Sequence, residues 1–355
     1  VLPAICLSAV PPGQKAITYY GREYMLLEGT TVADSLKESP YDRLPVSLKN
    51  KVRPPVWELS KNSAGLSLRF ITNSTSVSVK WRLLINKTMN HMAETGIKGL
   101  DLYCKTKNGS WQYVNTARPI GKENEFALVA NMSSEIREFR LYLPLYDGVE
   151  QVEVGIDSIA TISKPIDKMQ KPIVFYGTSI TQGGCASRPG MAYPSIISRK
   201  LKTNCVNLGF SANGRMEKPI VDLLTGIDAA FYVIDCAPNM SEAEVKSNAV
   251  PLVETIRSKR PLTPIVFVEN LAYEKSFFDR PLYEELRSKN KQLKAQYQSL
   301  VKKGVKNIYY IECNKAIGED HEATVDGVHF TDLGFMRFAD YLIGRFLQFQ
   351  LVKNK

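Results

Sequence analysis

The chain has 355 residues, 44% of them hydrophobic and 23% charged, which is enough apolar side chain for two packed cores and excludes wholesale disorder. Its net charge of +10 comes from 46 basic against 36 acidic residues, spread as +4 over residues 1–165 and +6 over the rest, without the basic block that marks a nucleic-acid binder. No uncharged apolar run approaches the roughly 18–20 residues of a membrane helix, so neither a nucleic-acid partner nor a transmembrane segment is expected.

The first ten residues, VLPAICLSAV, are uncharged. They read either as the remnant of a secretion signal or as an edge strand, and a secreted or periplasmic location is the expectation. Strand patterns then dominate. LSLRFITNSTSVSVKWRLL (66–84) alternates apolar and polar residues around a polar turn, and LDLYCKTKNGSWQYV (100–114) reads as a hairpin with Asn108-Gly109 at its tip. EFRLYLPLYDGVEQVEVGI (138–156) reads as a further pair turning at Asp147-Gly148. Short strands at this spacing predict an antiparallel sandwich over residues 1–165.

KPIDKMQKP reads as a linker, and beyond it the period changes. Runs rich in β-branched residues (IVFY 173–176, CVNL 205–208, AFYVIDC 230–236, PIVFVEN 264–270 and NIYYIEC 307–313) alternate with helical stretches such as SEAEVKSNAVPLVETIRSKR and PLYEELRSKNKQLKAQYQSLVKK. That alternation predicts a parallel sheet covered by helices on both faces, a three-layer flavodoxin-like α/β domain over residues 171–355. Ligands in such sheets bind beyond the carboxyl ends of the strands, so the chemistry is sought in the loops that follow them.

Those loops offer Ser179 in GTSIT, Gly209 in GFSANG, Asn239 in APNMS, and Asp326 and His329 in DGVHF. The set suits acyl transfer. A serine hydroxyl attacks only when a base takes its proton, and a neutral imidazole does so near pH 7. A carboxylate three residues before the imidazole can hold its Nδ1 proton and leave Nε2 facing the serine. The amides of Ser179 and Gly209 and the Asn239 carboxamide are candidate donors to an oxyanion.

In this order the loops resemble the blocks of the SGNH/GDSL hydrolases, which are serine esterases and acylhydrolases. Ser179, Gly209, Asn239 and His329 would be the four block residues. Gly177-Thr178-Ser179 carries Thr where the family usually has Asp, Ala237-Pro238-Asn239-Met240 keeps only the Asn of its block, and Asp326-Gly327-Val328-His329 is intact. Gly99-Leu100-Asp101-Leu102-Tyr103 is similar to the GxDLY signature of a β-rich domain that precedes some bacterial members. The two resemblances imply an esterase without a cofactor or metal, acting on a small or carbohydrate-linked ester, with the sandwich walling its cleft.

Other features carry alternatives. A fold of this family that has lost activity and binds carbohydrate at a cell surface is one, given the altered blocks. A phosphate or nucleotide binder using GTSITQGG is another, disfavoured because no Walker lysine or GxGxxG spacing accompanies it. Cys185, after Gly183-Gly184, raises a cysteine hydrolase. The six cysteines, at 6, 104, 185, 205, 236 and 313, include no CxxC pair, which disfavours a zinc site and a disulfide framework. Asp101 faces either a neighbouring domain or water. Trp111 and Tyr113 share one sheet face and read as core packing or a cross-strand aromatic pair more readily than as a sugar platform. His91 falls in a loop of the first half and His321 in the acidic GEDHEA segment, leaving His329 as the base.

Overall fold

A computed structural model describes residues 16–167 and 170–353. The VLPAICLSAV start, and Lys168 and Met169 of the linker reading, lie outside the described residues.

The first part of the chain builds two antiparallel sheets. Its strands are β1 (Ile17–Tyr20), β2 (Leu26–Glu28), β3 (Ser67–Thr72), β4 (Val77–Leu83), β5 (Leu100–Lys105), β6 (Trp111–Ala117), β7 (Glu123–Val129), β8 (Arg137–Tyr142), β9 (Val149–Asp157) and β10 (Ile162–Ser163). Two short helices, α1 (Pro54–Ser60) and α2 (Glu94–Lys98), interrupt them. One sheet has the order β1-β9-β4-β7; the other runs β10-β3-β8-β5-β6 with β2 on β3. The period-2 pattern does its expected work: along β4 Val77, Val79, Trp81 and Leu83 point inward, meeting Phe70, Leu102, Phe139 and Leu141 of the facing sheet.

The 100–114 hairpin forms as expected, with Gly109 at φ +79 in its turn. The other two pairs do not. β3 and β4 lie in different sheets, as do β8 and β9, so both connections cross the sandwich. Alternation fixes which side chains face the core, but both sheets share that core, so it does not fix which sheet a strand joins. The Asp147-Gly148 turn is instead a buried anchor. The Asp147 carboxylate accepts hydrogen bonds from the backbone N–H groups of Ile85, Asn86 and Lys87 at 2.8–3.0 Å, which pins the start of the 84–93 loop.

The second part alternates strands β11 (Ile173–Gly177), β12 (Cys205–Gly209), β13 (Phe231–Asp235), β14 (Ile265–Val268) and β15 (Ile308–Ile311) with helices α3 (Ser179–Gln182), α4 (Tyr193–Leu201), α5 (Lys218–Gly226), α6 (Glu242–Lys259), α7 (Arg280–Lys302) and α8 (Asp332–Gln348). All five strands are parallel in the order β12-β11-β13-β14-β15, the flavodoxin-like winding with its switch point at β11. α5, α6 and α7 cover one face through residues such as Leu224, Leu252 and Leu293; α4 and α8 cover the other through Ile197, Phe338 and Phe346. Local signals fix the helix ends: Ser241 and Glu244 form a reciprocal capping box at the start of α6, worth about 1 kcal/mol. Leu44, Leu48, Val52 and Val56, from before the sandwich strands are complete, join the core beneath β11 and β12. The two parts of the chain therefore share packed surface. Among the described residues no helix is long and apolar enough to cross a membrane.

Candidate active site

Ser179 sits at the switch point, on the first turn of α3 immediately after β11. The turn is tight: a Cβ on Gly177 would lie 2.1 Å from Thr181 Oγ1 and 2.8 Å from the Asp235 carbonyl oxygen. Thr178 caps the helix by accepting from the Ile180 N–H, and Thr181 Oγ1 in turn accepts from the Thr178 N–H. Threonine thus supplies a local cap where the family usually has aspartate. Gly183, at φ +111, ends the helix after one turn. As the first helical residue, Ser179 has no intrahelical acceptor for its N–H.

His329 arrives from the far end of the chain. A bridge between Thr324 and Phe330 closes a small loop, and Gly327 takes φ +85 within it. Asp326 Oδ1 accepts the backbone N–H groups of Val328 and His329 at 3.1 and 2.8 Å, while Oδ2 lies 2.7 Å from His329 Nδ1. Burial works to raise this carboxyl, but the His329 side-chain and backbone hydrogen bonds outweigh it and hold it below the usual aspartate value. A carboxylate can only accept, so Nδ1 carries the proton and Nε2 presents its lone pair. Ser179 Oγ is 2.9 Å from that Nε2. Hydroxyl, imidazole and carboxylate therefore form one continuous relay.

The other expected residues fall differently. Asn239 ends a single 3-10 turn after β13, its carboxamide 3.3 Å from the Phe210 carbonyl oxygen, beside the loop that follows β12. The Gly209 backbone is already engaged in hydrogen bonds. Its N–H donates to Asn207 Oδ1 at 2.9 Å and its carbonyl accepts from the buried Arg43 at 2.6 Å. A Cβ there would lie 2.2 Å from the Gln182 nitrogen, so Gly209 is where β12 and α3 touch. Three residues on, Ala212 is exposed, adopts the left-handed region at φ +57, and has no bonded partner for its N–H among the described residues. No sequence signal marks it, because alanine does not advertise a positive φ. Ser211 N–H to Gln182 Oε1, at 3.0 Å, ties this loop to α3.

Cys185 is buried at φ +70, and burial pushes its thiol up to about 12 with the Asp326 charge adding to the effect. It is a neutral thiol at physiological pH, unsuited to nucleophilic attack. His91, which the sequence places in a sandwich loop, stands with its ring centroid 5.9 Å from that of His329. His321 is exposed and pairs with Glu274 at 2.8 Å.

Asp101 of the GLDLY segment is fully buried and faces the other half of the chain. Its carboxylate accepts from Thr116 Oγ1 at 2.6 Å, Arg188 Nη1 at 2.8 Å and the Gly190 N–H at 2.8 Å. It braces the segment that follows α3. Tyr113 packs edge-on against Tyr103 at 5.7 Å and under Arg188 at 4.0 Å, and Arg140 lies 4.6 Å from the Trp111 ring. Tyr103 and Tyr113 form a cross-strand pair, and Trp111 and Tyr113 carry cation stacks.

The parallel sheet in flavodoxin order thus carries a hydrogen-bonded Ser179–His329–Asp326 chain at its switch point. Residues 170–347 match the model of the GDSL-like lipase/acylhydrolase family, and residues 17–162 match the GxDLY model, the N-terminus of SGNH-hydrolase-type esterases. The chain belongs to the GDSL/SGNH-type esterases with a GxDLY N-terminal part, enzymes that act on ester substrates. It is similar to a protein of Bacteroides ovatus assigned to the GDSL-like lipases, with 39% identity and a TM-score of 0.91 over 96% of this chain and 100% of that one. In fold it also resembles a salicylyl acyltransferase from a tetracycline biosynthetic pathway (18% identity, TM-score 0.78, 95% and 99% covered). A family two carbohydrate esterase of Clostridium thermocellum shares the fold at 13% identity, TM-score 0.56, with 81% and 94% covered. No curated protein sequence matches the chain.

Proposed function

We propose that the chain is a serine esterase that releases a short acyl group through an acyl-enzyme on Ser179. The observation that carries this reading is the relay itself: Ser179 Oγ 2.9 Å from His329 Nε2, with Nδ1 held 2.7 Å from Asp326. As Oγ bonds to the ester carbonyl carbon, its proton passes to Nε2, and the imidazolium forms beside a carboxylate that is already charged. Collapse of the tetrahedral intermediate breaks the bond to the alcohol oxygen, which leaves with that proton. Water, deprotonated by the same Nε2, then releases the acid and restores Oγ–H.

The carbonyl oxygen gains negative charge in both steps and needs donors fixed in advance. The Ser179 N–H, the Asn239 carboxamide and the Ala212 N–H fill this role in our reading. Ala212 takes the place expected of Gly209, because Ala212 is an exposed residue whose N–H has no bonded partner among the described residues, while that of Gly209 is already bonded.

A carbohydrate acetyl ester is the substrate class we favour, in keeping with the shared fold of the carbohydrate esterases, one of which is an acetyl xylan esterase from Butyrivibrio proteoclasticus at TM-score 0.58. A second reading, acyl transfer to an alcohol acceptor, draws on the higher fold similarity of the salicylyl acyltransferase. Labelling with a serine-reactive fluorophosphonate, followed by peptide mapping, tests the nucleophile. Modification of Ser179 with loss of aryl acetate hydrolysis is expected; a label on Cys185 would favour the cysteine-hydrolase reading, and none on folded protein the inactive-binder reading. Adding a sugar alcohol to the assay and measuring new ester against free acetate separates transfer from hydrolysis.

A further inference from the structure

Four potential metal-ligating side chains meet beside Ser179. A ligand atom from each of His91, Cys185, Asp326 and His329 lies within 4.8 Å of the other three. They come from three separate segments: the 84–93 loop pinned by Asp147, the left-handed turn after Gly183, and the loop closed by the Thr324–Phe330 bridge. Two imidazoles, a thiol and a carboxylate are the donor types of a tetrahedral site for a borderline-soft cation. We propose that these four residues bind a divalent cation of the zinc class, and that the bound cation switches the esterase off.

The distances fit with a small adjustment. With bonds of about 2.0–2.3 Å, tetrahedral zinc sets its ligand atoms roughly 3.3–3.8 Å apart. The present spread of at most 4.8 Å therefore closes by about an ångström, within the reach of side-chain rotation. The tautomer of His91 is set by its neighbour Asn90. The His91 Nδ1 lies 3.0 Å from Asn90 Oδ1, an acceptor, so Nδ1 carries the proton and Nε2 keeps the lone pair. On binding, the Cys185 thiol gives its proton to solvent and coordinates as thiolate, so two charges from the protein, thiolate and carboxylate, balance those of the cation. Magnesium and calcium, which select oxygen ligands, do not suit this set.

Inhibition follows from the tautomer of His329 and rests on its role as the base. Coordination through Nε2 consumes the lone pair that would accept the serine proton. Coordination through Nδ1 moves the ring proton to Nε2, which then faces Ser179 as a donor. Either way no base remains. Neither His91 nor Cys185 takes part in the relay, so the cation site and the hydrolytic site can be separated by substitution.

The test uses the full chain carrying Ser179→Ala, which keeps all four ligands, titrated with zinc chloride by calorimetry. One equivalent should bind, and His91→Ala or Cys185→Ser added to that background should each weaken binding by about 100-fold or more, since changes to outer-shell partners alone cost 10–100-fold. Cobalt(II) should give a thiolate-to-metal charge-transfer band that Cys185→Ser abolishes. With Ser179 intact, zinc should block aryl acetate hydrolysis reversibly by chelator, and magnesium should not. Unchanged zinc affinity in both ligand variants, each shown folded by circular dichroism, would overturn the site, and His91→Gln and Cys185→Ala serve if either first variant fails to fold. Stoichiometric binding that leaves wild-type turnover intact would overturn the switch while leaving the cation site, and the reading of His329 as the base would stand on its own tests.

Discussion

Replacing Asp101 by alanine should loosen the active site without touching any atom of the relay. The change leaves the Gly190 N–H without its acceptor, which costs about 1–3 kcal/mol for a buried donor. It also strips the carboxylate from Arg188. Breaking a fully buried pair costs roughly 3–5 kcal/mol, but the Arg188 side chain is 21% exposed and keeps the Tyr103 hydroxyl at 2.6 Å and the Tyr113 ring, so only part of that applies. Together the losses come to about 3–5 kcal/mol, a fall in Tm of roughly 4–7 °C for a chain of this size. Because Arg188–Met191 follows directly on α3 and the Cys185 turn, kcat/KM should drop about tenfold with its pH profile unchanged. Asp101→Asn, which retains an acceptor for the Gly190 N–H but not the charge, should fall between. Adding Arg188→Met to the alanine variant should recover part of the stability, since the orphaned cation is then gone. Thermal melts and steady-state kinetics of the set decide the matter. An alanine variant that melts within 2 °C of wild type with unaltered kcat/KM would refute the idea that this buried carboxylate braces the catalytic turn.

Ser179→Ala and His329→Ala should each lower kcat by at least ~10,000-fold, and the double variant should be no worse than either, because members of one relay fail together; additive losses in the same assay would contradict the assignment. Asn239→Ala should reduce kcat about 100-fold with little change in KM, as a donor engaged mainly in the transition state requires, and a rise in KM alone would make it a substrate-binding residue. Burial raises the Asp235 carboxyl to about 7 against the opposing Thr181 and Tyr193 hydroxyls. Between an unfolded value of about 3.9 and that point the folded state keeps a proton the unfolded chain has lost, so this group makes stability fall as pH rises, by up to about 4 kcal/mol. Asp235→Asn should therefore gain on wild type in melts from pH 4 to pH 8, and a Tm difference independent of pH would show that Asp235 does not titrate in that range.

Much of the molecule is legible in the residues themselves. Period-2 runs before residue 165 point to an antiparallel sandwich with one face of each sheet on the core, and β-branched runs alternating with helical stretches after it point to a parallel sheet buried on both faces, because helical crossovers cover both sides. The spacing of Asp326 and His329 within one turn, and the place of Ser179 after the first parallel strand, are local facts that carry straight into the relay geometry. Tertiary packing decided the rest. Which sheet β4 and β9 joined depended on partners rather than on pattern, since both sheets face one core. Gly209 lost its amide to Asn207, two residues away, only because β12 packs against α3 closely enough to turn that side chain inward. Asp101 became a buried strut once Arg188, 87 residues later, was folded onto it. His91 stands beside His329 on a loop whose start is anchored by the Asp147 carboxylate from the end of the neighbouring strand β9, and an anchor 61 residues away in sequence leaves no mark in the local sequence of either partner.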